Sequence, residues 1–367
     1  METKYDYIIV GAGFFGSIMA RELTDAGAKC LVIEKRNHIG GNCYTENVDG
    51  IHVHEYGPHI FHTNNLHIWN YMSRYTTFNH FRLTSKQFYD NKLYSFPINL
   101  FTLYQLWGVI TPEEAEQKLQ SVIIPNENPL NFEEWILSKV GKEIYEKFIY
   151  DYTVKQWGTE PKNLPAFIIK RLPIRLTFDD NYYYDKYQGI PENGYTQIFE
   201  KLLEGIPLLL NTDYLLNKEY FDNLGKKIVY TGPIDEFFNY EYGHLEWRSL
   251  KFEKEVINKK YHQGGAVVIY PEKKFLYTRI IEHKHFNFGE QNFTIITREY
   301  PHEWNGGEEK YYPVNNEKNQ QLYLKYKNQI DNKKYIFGGR LANYAYYDMH
   351  QVIELALTTF KNEIDSW

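Results

Sequence analysis

Three segments bring polar and aromatic side chains together where a loop meets a helix-like run: GPHIFHT (57–63), DYTVKQWG (151–158) and GGRLANYAYYDMH (338–350). His59 and His62 are the acid–base candidates, because imidazole titrates near neutrality. Arg171, Arg248, Arg279 and Arg340 are the anion candidates, because a guanidinium donates two parallel hydrogen bonds to a phosphate. Plainer readings stay open for all of them: satisfied structural histidines and surface ion pairs. They are weakest at Arg340, where Gly338 and Gly339 would leave the backbone close to a ligand. No segment pairs a nucleophile with a base. GxSxG and HExxH patterns are absent, and Cys30 and Cys43 lack metal-ligand spacing, so no metal site is read.

A second constellation points to a cofactor. YDYIIV runs into Gly11, Gly13 and Gly16, an amphipathic run follows, and CLVIE ends on Glu34. This is a βαβ unit with the Rossmann-like fingerprint. Gly11 permits the tight turn, Gly13 lets the backbone approach a pyrophosphate, and Gly16 lets the helix pack on the strand. The helix N-terminus offers unpaired N–H groups to the negative charge. Glu34 would accept the hydroxyls of an adenosine ribose and repel a 2′-phosphate, which disfavours NADP. At the far end of the chain Asp348 reads as the N-cap of a last helix. Aimed at a flavin, that helix would stabilise the negative charge of the reduced ring.

The elements that position these residues read as follows. With 367 residues, 43% hydrophobic and 24% charged, the chain has material for two or three domains of an ordinary globular protein. Net charge is −6 without a basic stripe, so nucleic acid is not an expected partner. No apolar run approaches membrane-spanning length, and two cysteines fit a reducing cytoplasm. Aromatic residues reach 17%, enough to line a site for a uracil base, a sugar or a flavin as well as to fill a core. TPEEAEQKL (111–119) and NFEEWILSKVG (131–141) carry capping signals at Thr111 and Asn131, with Gly141 as terminator, and a long helix is expected to end at Gly158. KKIVYTGPID and KYIFGG read as strands returning to the first sheet. LEWRSLKFE, GGAVVIYP, FLYTRIIEHK and NFTIITREYP read as an antiparallel sheet. The fold class is therefore α/β, with a discontinuous sheet.

The chain resembles the bacterial UDP-galactopyranose mutase family through EKRNHIGGN, HIFHT, KQWG, AFIIKR, YQGIP, YTGPID, TRIIEHKHF, YYPV, and GGRL followed by YYDMHQ, in the family's order. Two segments depart from it: HFRLTSKQF lacks a Thr-Asn-Ser pattern, and Pro58 replaces a small residue. The resemblance implies an isomerase that interconverts UDP-galactopyranose and UDP-galactofuranose with reduced FAD. Flavin N5 would be the nucleophile at the anomeric carbon, with no net redox change, which accounts for the missing protein nucleophile. It implies a Rossmann-like FAD-binding domain (1–76, 195–245 and 317–367), a helical insertion domain (77–150) with homodimer contacts, and an antiparallel β-sheet substrate domain (151–194 and 246–316). FAD would be held by Gly11, Gly13, Phe15, Gly16, Glu34, Lys35, Arg36, Gly41, Asn42, His59, Ile60, Thr231, Gly232, Gly339, Arg340, Tyr347, Asp348 and Met349. Tyr152 and Trp157 would shape the sugar-nucleotide pocket, Tyr182 would stack on uracil, and Arg171, Arg248, Arg279, Arg340, Tyr311 and Tyr346 would meet the substrate. The catalytic set would be Arg340, His59, Arg171 and Arg279. An N-acetylated sugar is an alternative substrate. A flavin oxidase or dehydrogenase of the amine-oxidase type and a non-catalytic UDP-sugar or FAD-binding module are the alternative functions.

Overall fold

In a computed structural model the chain is described over residues 4–365, the side chains of Phe167 and Arg171 excepted. Tyr5–Val10 lies at the centre of a five-stranded parallel sheet in the order Tyr335–Phe337, Gly225–Tyr230, Tyr5–Val10, Cys30–Ile33, Leu208–Leu209. Its register sets Ile8 opposite Ile228 on one side and Leu31 on the other. Strands buried on both faces read as unbroken apolar runs rather than alternating ones, and Ile8 and Ile9 are fully buried. Helices Phe14–Asp25 and Met349–Ile364 pack together against this sheet, with Ile18, Met19, Leu23, Phe199, Ile353 and Ala356 in the shared core. The sheet is thus assembled from the first, middle and last parts of the chain.

A second sheet has seven strands, in the order Tyr312–Pro313, Trp247–Ile257, Thr294–Glu303, Arg279–Glu282, Val267–Ile269, Ser85–Tyr89, Lys92–Phe96. Every pair is antiparallel except Val267–Ile269 with Ser85–Tyr89, which is parallel. The hairpin 85–96 therefore belongs to the sheet, although the sequence reading put it in the helical segment. Its partner strand comes from much later in the chain, so local pattern carries no trace of the pairing.

Within the segment 77–150, helices begin at Leu100–Trp107 and continue through Pro112–Val122 and Phe132–Ile144. The Thr111–Glu114 capping box is formed, and Asn131 caps the next helix through the Glu134 N–H. Gly141 ends the helix that Asn131 opens, as expected, and a second helix follows directly. The glycine is a kink at φ 74°, where an added Cβ would sit 2.4 Å from the Val122 carbonyl oxygen, so the missing side chain lets two helices touch. The chain passes on through a π-helical turn, Tyr145–Tyr150, into Asp151–Trp157, and the helix stops at Gly158 in the left-handed conformation. An expected boundary at 150/151 thus cuts a continuous helical run.

Candidate active site

The glycine turn has the geometry that a pyrophosphate cofactor requires. Gly11 has φ 101°, and a Cβ there would lie 2.0 Å from Thr231 Oγ1; at Gly16 it would lie 1.9 Å from the Gly11 carbonyl oxygen. Gly13 faces the Gly41 backbone, and a Cβ on it would lie 3.9 Å from the Gly41 Cα. A side chain at Gly11 or Gly16 would therefore collide with Thr231 or with the turn's own backbone, and the turn closes only because both are glycine. Glu34, nearly buried, accepts the Ala12 N–H at 2.8 Å and the Arg36 N–H at 2.9 Å. The carboxylate therefore pins the glycine turn to the end of the second strand, and each oxygen retains a lone pair for a ribose hydroxyl.

A cavity opens over this turn, walled by Gly11, Gly13, Phe15, Gly16, Glu34, Lys35, Arg36, Gly41, Asn42, His59, Thr231, Gly232, Gly339, Arg340, Tyr347 and Met349 among others. Ile60 and Asp348 face a second, larger cavity of about 910 Å3 instead. Its wall also includes Tyr152, Trp157, Tyr182, Arg279, Tyr311 and Tyr346. Asn42, His59, Arg340 and Met349 belong to both walls, so the two spaces meet there.

His59 is fixed by its own loop. Its Nδ1 lies 2.8 Å from the Gly57 carbonyl oxygen, so Nδ1–H donates and Nε2 keeps its lone pair. Burial, reinforced by the charge of Arg340, pushes its pKa down to about 4 and keeps it neutral. Arg340 donates to the Tyr347 carbonyl at 2.6 Å and lies 5.1 Å from the Tyr346 ring. Of the preceding glycines, Gly338 makes room for Phe15, whose ring an added Cβ would enter, while Gly339 lines the first cavity. Arg279 pairs with Glu299 at 2.7 Å, and Glu299 has no solvent exposure. Burial opposes the Arg279 charge, but Glu299 holds it on. Tyr346 stacks on Tyr312 at 5.4 Å, with Trp157 6.4 Å beyond.

Two of the four arginines, Arg279 and Arg340, converge on the second cavity. Arg248 does not. It is 4% exposed and lines neither cavity; its Nε donates to the Gln156 carbonyl and Nη2 to the Lys155 carbonyl, at 3.0 and 3.2 Å. It therefore holds the end of the helix that carries Tyr152 and Trp157, because the last carbonyls of a helix have no internal donor. The side chain of Arg171 lies outside the described residues. His62 lines the second cavity, hydrogen-bonded through Nδ1 to Asp185 at 2.7 Å and stacked on Tyr183 at 3.8 Å. His62, Asp348 and His350 present ligand-type atoms within 4.8 Å of one another, a cluster that sequence spacing did not suggest. Asp348 does begin the last helix, its N–H donating to Gln351 Oε1 at 2.8 Å.

Sequence reasoning missed Tyr312, Glu299 and Glu309. Tyr312 adjoins Tyr311 in YYPV, and that doublet was the available signal. Glu309 closes one side of the first cavity by pairing with Arg36 at 2.5 Å; nothing in its charged surroundings sets it apart.

A glycine-turn cavity on a parallel sheet, meeting an aromatic and cationic cavity against an antiparallel one, is the arrangement of an enzyme that sets a dinucleotide cofactor against an anionic substrate. Comparison with known proteins agrees. The family model described as UDP-galactopyranose mutase matches residues 147–346, and a model of NAD(P)-binding Rossmann-like domains matches 9–75. The chain is 40% identical over 364 residues to a probable UDP-galactopyranose mutase of Klebsiella pneumoniae, covering 96% of this chain and 93% of that one. It is 38% identical over 361 residues to a dTDP-fucopyranose mutase of Escherichia coli, covering 95% and 96%. A crystal structure of reduced UDP-galactopyranose mutase superposes with a TM-score of 0.74 at 13% identity over 99% of this chain and 96% of that chain. The chain belongs to the UDP-galactopyranose mutase family of FAD-dependent isomerases.

Proposed function

We propose that the protein interconverts UDP-galactopyranose and UDP-galactofuranose, the sugar nucleotide lying in the second cavity against FAD in the first. The observation that carries this reading is the junction at Asn42, His59, Arg340 and Met349, where the two spaces open into one another. Reduced FAD, when bound, supplies N5 as the nucleophile at the anomeric carbon. The glycine turn, Glu34 and Arg36 would hold the cofactor. Arg279 and Arg340 would neutralise the diphosphate as negative charge gathers on the leaving group, with Tyr311 and Tyr346 donating hydrogen bonds. The family resemblance would add Arg171 to that clamp. Tyr152, Trp157 and Tyr182 would exclude water and hold the nucleotide. His59, neutral and with Nε2 free of its own loop, would act as an acceptor beside the reacting centre.

The test is to incubate dithionite-reduced protein with UDP-galactofuranose and separate the products by chromatography. UDP-galactopyranose is expected from reduced protein alone. Equal turnover by oxidised protein would exclude the reading, and substrate-driven bleaching would indicate an oxidase or dehydrogenase. The Escherichia coli relative supports dTDP-fucopyranose as a second substrate pair, to be run in parallel with the N-acetylated sugar nucleotide. Phe101, Tyr104, Ile110 and Ile124 are exposed on the helical segment and support the homodimer reading, which light scattering tests. Among the described residues no helix is long and apolar enough to cross a membrane.

A further inference from the structure

We propose that His54 and His283 are positioning residues that set the main-chain orientation of His59 at the junction of the two cavities. The inference rests on the reading that flavin and sugar meet there. Neither histidine lines either of these two cavities, and both are essentially buried, at 1% and 0% exposure. They form a relay behind the loop. The backbone N–H of His59 donates to His54 Nδ1 at 3.1 Å, and the backbone N–H of His54 donates to His283 Nδ1 at 3.2 Å. His283 Nε2 lies 2.7 Å from Thr297 Oγ1, which ends the chain on the antiparallel sheet.

The bonding fixes the tautomers. Each Nδ1 receives an N–H, so each must carry a lone pair, and the proton of each neutral ring lies on Nε2. For His283 that proton meets the Thr297 hydroxyl. For His54 the Nε2–H is buried with no hydrogen-bond partner among the described residues. A fold selecting only for packing would place an apolar ring there, since His54 already stacks on Phe286 at 4.6 Å and meets the edge of Tyr195 at 5.7 Å. An imidazole instead of a phenyl ring gains one thing, an acceptor aimed at the His59 N–H. The front of the same loop is closed by His59 Nδ1–H donating to the Gly57 carbonyl, so His59 is held from both sides.

Asparagine places Oδ1 where histidine places Nδ1, whereas leucine fills the space without an acceptor. The experiment compares His54→Asn, His54→Leu, His283→Asn and His283→Leu. The leucine variants are expected to change the ratio of oxidised to reduced FAD at a fixed potential by about tenfold, or about 30 mV for a two-electron couple. They are also expected to lower kcat roughly tenfold with KM nearly unchanged, as misplacement near the reacting centre does. The asparagine variants should restore both. Identical FAD potentials in all four variants and the wild type would overturn the proposal. So would a potential shift of the same size in asparagine and leucine variants, which would mark a merely structural role. Should leucine prevent folding, 15N NMR of the wild-type imidazoles decides: unprotonated Nδ1 in both is expected, and a protonated Nδ1 in either refutes the relay. That readout is independent of turnover, so a failure of the mutase assay is distinguishable from a failure of the relay.

Discussion

Arg279 and Glu299 stand directly opposite one another on neighbouring antiparallel strands, guanidinium to carboxylate at 2.7 Å. Glu299 is fully buried while Arg279 reaches into the wall of the second cavity. The pair gives the proposed clamp a fixed origin: the carboxylate holds the guanidinium in place and offsets its burial. Arg279→Ala is expected to lower catalytic efficiency by about 1.5–3 kcal/mol of lost charged hydrogen bonding. It should also lower stability by about 3 kcal/mol, because an uncompensated carboxylate stays buried. Adding Glu299→Gln should restore much of the stability and none of the activity. Urea unfolding and steady-state kinetics on the two single variants and the double variant check this, and equal stability of Arg279→Ala and the double variant would refute it.

Arg248 illustrates a different use of the same side chain. Its fork satisfies two carbonyls at the end of the 151–157 helix, and Gly158 packs so tightly on it that a Cβ would lie 2.6 Å from Nη1. Arg248→Ala is expected to cost about 2–3 kcal/mol by leaving those carbonyls unpaired. Arg248→Lys should recover little, since an ammonium cannot span both acceptors in the fork's plane. Denaturant midpoints for the two variants check this. A lysine variant as stable as the wild type would show that charge alone suffices.

The contrast between these two arginines marks what was legible in the sequence. The glycine turn, its helix and Glu34 were legible because each requirement is met within one βαβ unit, and the structure builds them as expected. In the second sheet the strands near 247–257, 267–269, 279–282 and 294–303 were legible from β-rich runs and turn residues, whereas the hairpin 85–96 was not. Nor was partner choice. The register that sets Arg279 against Glu299, and the parallel pairing that draws hairpin 85–96 into the sheet, are decided by packing between distant segments. Arg248 and Arg279 therefore looked alike, each beside aromatic residues, until the fold turned one toward a helix end and the other toward the cavity. Gly141 was legible as a helix stop because the signal is local; that it also admits a neighbouring helix depends on tertiary packing and was not.

The glycine turn itself should be intolerant of a single methyl group. Gly16→Ala would press a Cβ against the Gly11 carbonyl, a backbone atom that cannot rotate away. The strand and helix must then separate, and the N–H groups over the cofactor move with them. The variant is expected to retain FAD at least about tenfold more weakly, since misaligned donors lose charged hydrogen bonds worth more than about 1.4 kcal/mol. Visible absorbance after gel filtration, against added FAD, measures this. A yellow variant with wild-type affinity would show that the turn has slack the geometry does not reveal.

Acid should weaken the fold through the buried histidines. Burial pushes His283 down to about 3, with Lys254 adding to it, and burial among neighbouring histidines holds His54 well below its ordinary value. In the unfolded chain both return to about 6.5. The unfolded state then binds more protons over the interval, so stability is complete above about 6.5 and declines as pH falls toward the folded values. Each histidine contributes a slope of about 1.4 kcal/mol per pH unit below 6.5. Between about pH 6.5 and 5, above the usual carboxylate range, this slope should dominate. Asparagine at position 283 cannot titrate, so His283→Asn is expected to flatten the slope by about one proton whatever its effect on absolute stability. Urea unfolding of both proteins across that interval checks the difference, and parallel slopes would mean that His283 is charged in the folded state.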